Sequence, residues 1–228
     1  MLFLRENCTA CGKCSDACPS LALSLCGEEK TVTELFEEIK KDQHYYTASG
    51  GGVTFSGGEC LLHSQFVKAI AKMCKDKDIH TTVESAFFVP WKNVEEVLPF
   101  TDLFFADLKI PDPEKHRKFT GQDNKLIIEN ITKLSNIHSN IILRIPVIPG
   151  VNDSDDDIDA FAQIIKTFGK GIKEIELLRY NHMAHSKYGF LGKKYTEFGT
   201  DSQSDEKMNE LCLCLQNKLS KGLRVFYV

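Results

Sequence analysis

Apolar and polar residues change their spacing repeatedly after residue 30, and each change marks an element. Val32, Leu35, Phe36 and Ile39 recur at helical intervals behind Thr31 and Glu34, a capping-box pair, which predicts a helix to about Lys41. From Gly50 onward, short β-rich runs alternate with amphipathic helical stretches. Gly52-Val53-Thr54-Phe55-Ser56 precedes a helix marked by Phe66, Ile70 and Met73, and Thr81-Thr82-Val83-Glu84 precedes one over 91–98. Strands over 103–110, 141–148 and 174–180 follow, with helices near 112–118, over 124–137 and after 153. Five β runs with helical crossovers predict an α/β fold with a parallel sheet, a barrel or part of one. Leu103-Phe104-Phe105-Ala106 and Ile141-Ile142-Leu143 are unbroken apolar runs, the pattern of strands covered on both faces.

Some patterns look chemical and read better as structure. The acidic run 153–157 resembles a metal site, but Ser154 is a good N-cap and Ile158, Phe161, Ala162, Ile165 and Phe168 define the helix it opens. Carboxylates in a first turn complement the helix dipole. Met208, Leu211, Cys212, Leu215 and Leu219 form one stripe of a C-terminal helix; Cys214 points elsewhere, so it and Cys212 are no ligand pair. Cys74 beside Met73 reads as a small core hydrophobe.

The 228 residues, 42% hydrophobic and 26% charged, suffice for one globular domain with a small appendage. Lys and Arg number 28 against 32 Asp and Glu, a formal charge of −4, which disfavours nucleic acid and anionic membranes as partners. Apolar runs fall short of the roughly 20 residues a bilayer span needs. The start, Met1-Leu2-Phe3-Leu4-Arg5, is too short for a signal peptide, so a cytoplasmic location is expected. Nine cysteines, four of them between 8 and 18, suit thiolate ligation in a reducing compartment better than disulfides.

Cys8, Cys11, Cys14 and Cys18-Pro19 reproduce C-x2-C-x2-C-x3-C-P, the bacterial ferredoxin run that wraps thiolates around a [4Fe-4S] cluster. Gly12 relieves backbone crowding between the ligands. A zinc knuckle would use two separated C-x2-C pairs instead. In two-cluster ferredoxins the fourth cysteine ligates the other cluster. Cys18 then points to a second centre whose cysteines this chain does not contain, and Cys8, Cys11 and Cys14 need a fourth ligand, for which Cys18 and Cys26 both stand open.

Ser56-Gly57-Gly58-Glu59 follows a short strand and matches neither a P-loop nor a dinucleotide fingerprint. Glycines there let backbone groups approach a ligand closely, with Glu59 able to receive a cation; a plain turn reads equally well. Taken with Asp107-Leu108-Lys109, Thr120-Gly121, Arg144-Ile145-Pro146-Val147-Ile148-Pro149-Gly150-Val151-Asn152-Asp153 and Tyr180-Asn181-His182, the turn makes an ordered set. That set resembles the glycyl-radical-enzyme activating enzymes of the radical S-adenosylmethionine (SAM) superfamily, which include the pyruvate formate-lyase activating enzyme. The likeness runs from about Cys8 to the C-terminus, and the ferredoxin run resembles the subgroup with auxiliary clusters.

The resemblance implies a role for each position. Ser56, Gly57, Gly58 and Glu59 resemble the loop that receives the amino group of SAM. Glu84, Ser85 and Asp107 resemble the polar ring near its carboxylate, which in the pyruvate formate-lyase relative also holds a monovalent cation; the Phe105 carbonyl of this chain would be a further ligand. Lys109 and Arg144 resemble residues near SAM or the partner peptide, and His182 the histidine beside the nucleoside. All sit at C-terminal ends of predicted strands, where barrel sites form. On the residues alone, Asp107 and Lys109 could pair with barrel neighbours, Arg144 could be a structural ion pair, and His182 with His185 has an H-x2-H look without matching carboxylates. His44, His63, His80, His116 and His138 have no motif support.

The family's C-x3-C-x2-C is absent: Cys14 and Cys18 have the first spacing, but Leu21 stands at the third position. The resemblance therefore implies a partial (β/α)6 barrel lacking its first strand and catalytic loop, a five-stranded remnant with an exposed edge. Cys60 stands where the family usually has proline, and Glu84-Ser85-Ala86-Phe87 replaces acid-Thr-Ser-Gly. The expected organisation is a ferredoxin-like segment over 1–30, a linker helix over 31–48 and the partial barrel over 49–228. The implied activity is reduction of SAM by [4Fe-4S] to a 5′-deoxyadenosyl radical that takes a Cα hydrogen from a partner glycyl radical enzyme, with flavodoxin or ferredoxin as electron donor. The isolated chain is expected to be inactive in radical generation. A non-enzymatic iron-sulfur electron carrier and a barrel lyase using Lys109 as a Schiff-base amine are the rival readings.

Overall fold

The computed structural model of the chain describes residues 7–25, 27–183, 187–189, 193, 201–220 and 222–228. The N-terminal stretch holds a single turn, α1 (Lys13–Asp16), then α2 (Val32–Lys40) and α3 (Gln43–Ser49). Thr31 caps α2 as expected: its hydroxyl accepts from the Glu34 backbone while the Glu34 carboxylate accepts from Thr31 N. The stretch 31–48, expected as one linker helix, is thus two helices. The first lays Phe36 and Ile39 on Ile70, Cys74 and Ile79 in a small core of its own.

A parallel sheet follows, its six strands lying side by side in chain order: β1 (Gly52–Phe55), β2 (His80–Ser85), β3 (Leu103–Asp107), β4 (Ile141–Val147), β5 (Ile172–Arg179) and β6 (Arg224–Tyr227). The crossovers carry α4 (Ser64–Lys75), α5 (Trp91–Val97), α6 (Pro113–Thr120), α7 (Lys125–Ile137), α8 (Asp155–Ile165) and α9 (Asp205–Lys218). The expected count of five strands is corrected to six among the described residues. β6 is four residues long and opens on Arg224, too little for alternation to register in sequence. Tertiary packing makes it a strand, since α9 buries Met208, Leu211, Cys212 and Leu215 against the sheet beside it. β1 is the first strand of the sheet, and β2 is its neighbour.

The sheet is also not covered alike on both faces. Burial alternates along β3 and β4, with Phe104, Ala106, Ile141, Leu143, Ile145 and Val147 at 0–1% exposure. Phe105, Asp107, Ile142 and Arg144, on the other parity, are half-buried. Helices cover the first face; the second carries the charged residues. The apolar runs read as doubly covered because Phe105 and Ile142 supply apolar side chains to a face that is only partly shielded.

Gly52 shows how closely β1 and β2 approach: a Cβ at that position would lie 1.8 Å from the His80 carbonyl oxygen. The capping reading of 153–157 holds, with Ser154 and Asp157 forming a reciprocal box at the start of α8.

Candidate functional site

Because all strands run parallel, their C-terminal ends and the loops that leave them gather at one end of the sheet. The registers Glu84↔Phe105, Asp107↔Arg144 and Arg144↔Glu176 bring charged side chains of four strands onto one face. They form a continuous line. Ser56 Oγ donates to Glu84 Oε2 at 3.1 Å, Glu84 Oε1 lies 3.1 Å from Arg144 Nη1, and Arg144 Nε donates to Glu176. The Arg144 guanidinium also rests on the Phe105 ring, 3.5 Å from its centroid. Asp107 pairs with Lys109 at 3.7 Å. Burial pushes the Asp107 carboxyl above its ordinary range; Lys109 and Arg144 pull it down and Glu84 adds to the rise.

Glu59 ties two rim loops together. Its carboxylate accepts from Leu61 N at 3.1 Å in its own loop, and from Ser85 Oγ at 2.9 Å and Ala86 N at 3.0 Å in the loop after β2. Gly57, at φ 117°, makes the turn that brings it there. Cys60 donates to the Phe55 and Glu84 carbonyls, and burial pushes its thiol to about 12, which marks it as unreactive. Phe87, standing where the family usually has glycine, keeps a left-handed backbone at φ 56° while its ring is wholly buried near Phe104.

The rim on the other side is tied by residues the motifs do not single out for a role. Asn152, wholly buried, donates 2.7 Å bonds to the carbonyls of Lys109 and Pro146 and accepts from Ile148 N. Gln203 donates to Val147 O and accepts from Tyr180 N. Glu176, between Ile175 and Leu177, gave no motif signal that set it apart from Glu174 two residues earlier in the same strand. The structure thus brings together Ser56, Glu59, Glu84, Ser85, Asp107, Lys109 and Arg144. His182 is exposed, edge-on to Tyr180 at 5.0 Å between ring centroids, and among the described residues no hydrogen bond or ion pair ties it to that line. His185, like Cys26, lies outside the described residues.

Cys8, Cys11 and Cys14 are exposed and Cys18 is half-exposed, all as free thiols. Ala10, left-handed at φ 55°, donates its N–H to Cys8 Sγ at 3.3 Å, and Gly12 at φ 79° makes a second left-handed turn in the run. Among the described residues, no three His, Cys, Asp or Glu side chains are grouped closely enough to hold a metal ion. That holds for the cysteine run and for the Glu84 and Asp107 carboxylates.

Residues 6–162 match the family model described as "Radical SAM superfamily", a span that takes in the cysteine run and the first four strands. The chain belongs to the radical SAM superfamily. Within that superfamily it is 47% identical over 192 residues to the (2S)-3-sulfopropanediol dehydratase activating enzyme of Klebsiella oxytoca, covering 84% of this chain and 61% of that one. It is 37% identical over 241 residues to the trans-4-hydroxy-L-proline dehydratase activating enzyme of Clostridioides difficile, covering 92% and 80%. The crystal structure of a domain of the pyruvate-formate lyase-activating enzyme from Bacteroides vulgatus ATCC 8482 superposes with a TM-score of 0.62 at 28% identity, over 78% of this chain and 99% of that one. This radical SAM chain therefore groups with the activating enzymes of glycyl radical enzymes, and it spans about three-fifths of the first relative's length. No helix among the described residues is long and apolar enough to cross a membrane.

Proposed function

We propose that this chain is the SAM-binding barrel portion of an enzyme that activates a glycyl radical enzyme by removing a hydrogen from a glycine Cα. The observation that carries the reading is the charged line on the open face of the sheet. It starts at the C-terminal ends of β2 and β3 with Glu84 and Asp107 and, unlike the expected placement of Arg144 at a strand end, runs mid-strand through Arg144 of β4 and Glu176 of β5. Three carboxylates, Glu84, Asp107 and Glu176, pair with two cations, Lys109 and Arg144, and a fourth, Glu59, lies on the adjoining rim loop bonded to Ser85 and Ala86. An excess of negative charge suits a ligand bearing both a sulfonium and an ammonium, while Lys109 and Arg144 offer partners for its carboxylate. When bound, the reduced [4Fe-4S] centre and SAM supply the reductive cleavage that ends in hydrogen abstraction.

The remaining tasks fall to the chain's own residues. The Ser56-Gly57-Gly58 backbone and Glu59 receive the ammonium, Lys109 and Arg144 the carboxylate, and His182 borders the nucleoside. Glu84 already has Arg144 and Ser56 as partners, so positive charge is provided there from within the chain. A monovalent cation at Glu84, Ser85 and Asp107 would have to share those groups. Cys8, Cys11, Cys14 and Cys18 have the spacing for thiolate ligation of an auxiliary cluster that would pass electrons from a flavodoxin- or ferredoxin-type donor. They are not gathered in this structure, and the loop would have to close around the cluster. The partner glycine loop would enter between the rim loops near Asn152 and Asn181.

The test is anaerobic iron reconstitution of this chain beside a form extended upstream, each reduced and assayed for 5′-deoxyadenosine made from SAM. Product from the extended form alone is expected, and makes Cys8 to Cys18 auxiliary. Iron bound by both without product from either would favour an electron carrier.

A further inference from the structure

Glu176 is a carboxylate at 8% exposure between wholly buried Ile175 and Leu177. A charge at that depth is costly unless it is paired and hydrogen-bonded. Its partner is Arg144 Nε, while Arg144 Nη1 is held by Glu84 and the flat of the guanidinium lies on Phe105. The planar fork is fixed along two edges and one face, which leaves it little freedom to turn. Stability alone does not account for the arrangement, because a buried ion pair is often matched or bettered by apolar residues of similar volume. Glu174, two residues earlier on the same face, pairs with the exposed Arg224 and leaves the guanidinium of Arg144 to Glu176.

Resting on the SAM reading above, we infer that Glu176 is a positioning residue. Together with Glu84 it holds the Arg144 guanidinium in the orientation that meets the ligand carboxylate, and it acts on the ligand only through Arg144. Two consequences separate this from a merely structural role. Loss of Glu176 should not add to loss of Arg144, and a shorter carboxylate should restore part of what an amide of the same size cannot.

The experiment is equilibrium binding of SAM to the full chain by titration calorimetry, for the parent, Glu176→Gln, Glu176→Asp, Arg144→Gln and the Glu176→Gln/Arg144→Gln pair, with thermal melts of each. Glu176→Gln should weaken binding about 10-fold, the scale of one charge-assisted hydrogen bond. Glu176→Asp should recover part of that loss, and the double variant should bind no more weakly than Arg144→Gln alone. If Glu176→Gln melts below the assay temperature, Glu176→Asp with and without Arg144→Gln reads the same coupling. Additive losses, or parent-like binding by Glu176→Gln, overturn the assignment while leaving SAM binding intact. A parent chain that binds no SAM overturns the SAM reading itself, and this inference with it.

Discussion

At the scale of single residues, the site sets burial against charge. Asp107 is held above its ordinary carboxyl range, so folding works against its ionised form. For an acid whose folded value is raised, the penalty is present above that value and fades as pH falls toward the unfolded value near 3.8. Asp107→Asn should therefore melt higher than the parent at pH 7, with the gap closing in acid; thermal melts across pH check this. Phe87 poses a different opposition. A left-handed non-glycine residue costs about 1–2 kcal/mol, whereas losing a wholly buried phenylalanine ring costs about 3–5 kcal/mol. Burial wins, and Phe87→Gly should destabilise by about 2 kcal/mol in urea melts despite relaxing the backbone. Cys60 shows the same rule in a thiol. Brief alkylation of the metal-free chain, read by mass spectrometry, should label the exposed Cys8, Cys11 and Cys14 well before Cys60, Cys74 and Cys212, whose thiols burial pushes to about 12, 11 and 11.

At the scale of elements, caps and close approaches were partly legible. The boxes at Thr31/Glu34 and Ser154/Asp157 are local, with donor and acceptor three residues apart, so the sequence shows them directly. Asp157 also bonds Lys115 of α6 at 2.8 Å. Burial alone would raise its carboxyl; the Lys115 ammonium and the Ser154 hydroxyl outweigh that and hold it below the usual range. Ser154→Ala should cost about 1 kcal/mol in a denaturant titration. Stability from Asp157 should be lost as pH falls through its lowered value. Strand β6 was not legible, because four residues carry no period of their own and the strand exists by virtue of α9 and β5 beside it. Gly52 likewise looked like one of several glycines before a strand. Its need for a bare Cα comes from the His80 carbonyl across the sheet.

At the scale of the whole molecule, one main core joins the covered face of the sheet to the helices. Phe104 is wholly buried in it, near Phe87 and edge-on to His138 at 4.9 Å. Phe104→Ala should cost about 3–5 kcal/mol, read as a fall in the urea midpoint. The alternation of elements, the helix caps and the family motifs were all present in the order of the residues, since each depends on neighbours within a few positions or on an ordered set of short segments. The sequence alone therefore determined a parallel α/β protein with its polar residues at strand ends, and the radical SAM family. Only the tertiary structure decided that one face of the sheet is only partly shielded among the described residues, that a sixth strand joins it, and that Glu84 and Glu176 hold Arg144 between them. Those facts depend on register between strands up to 92 residues apart, from Glu84 to Glu176, and a chain read in order carries no sign of which side chains its strands will set side by side.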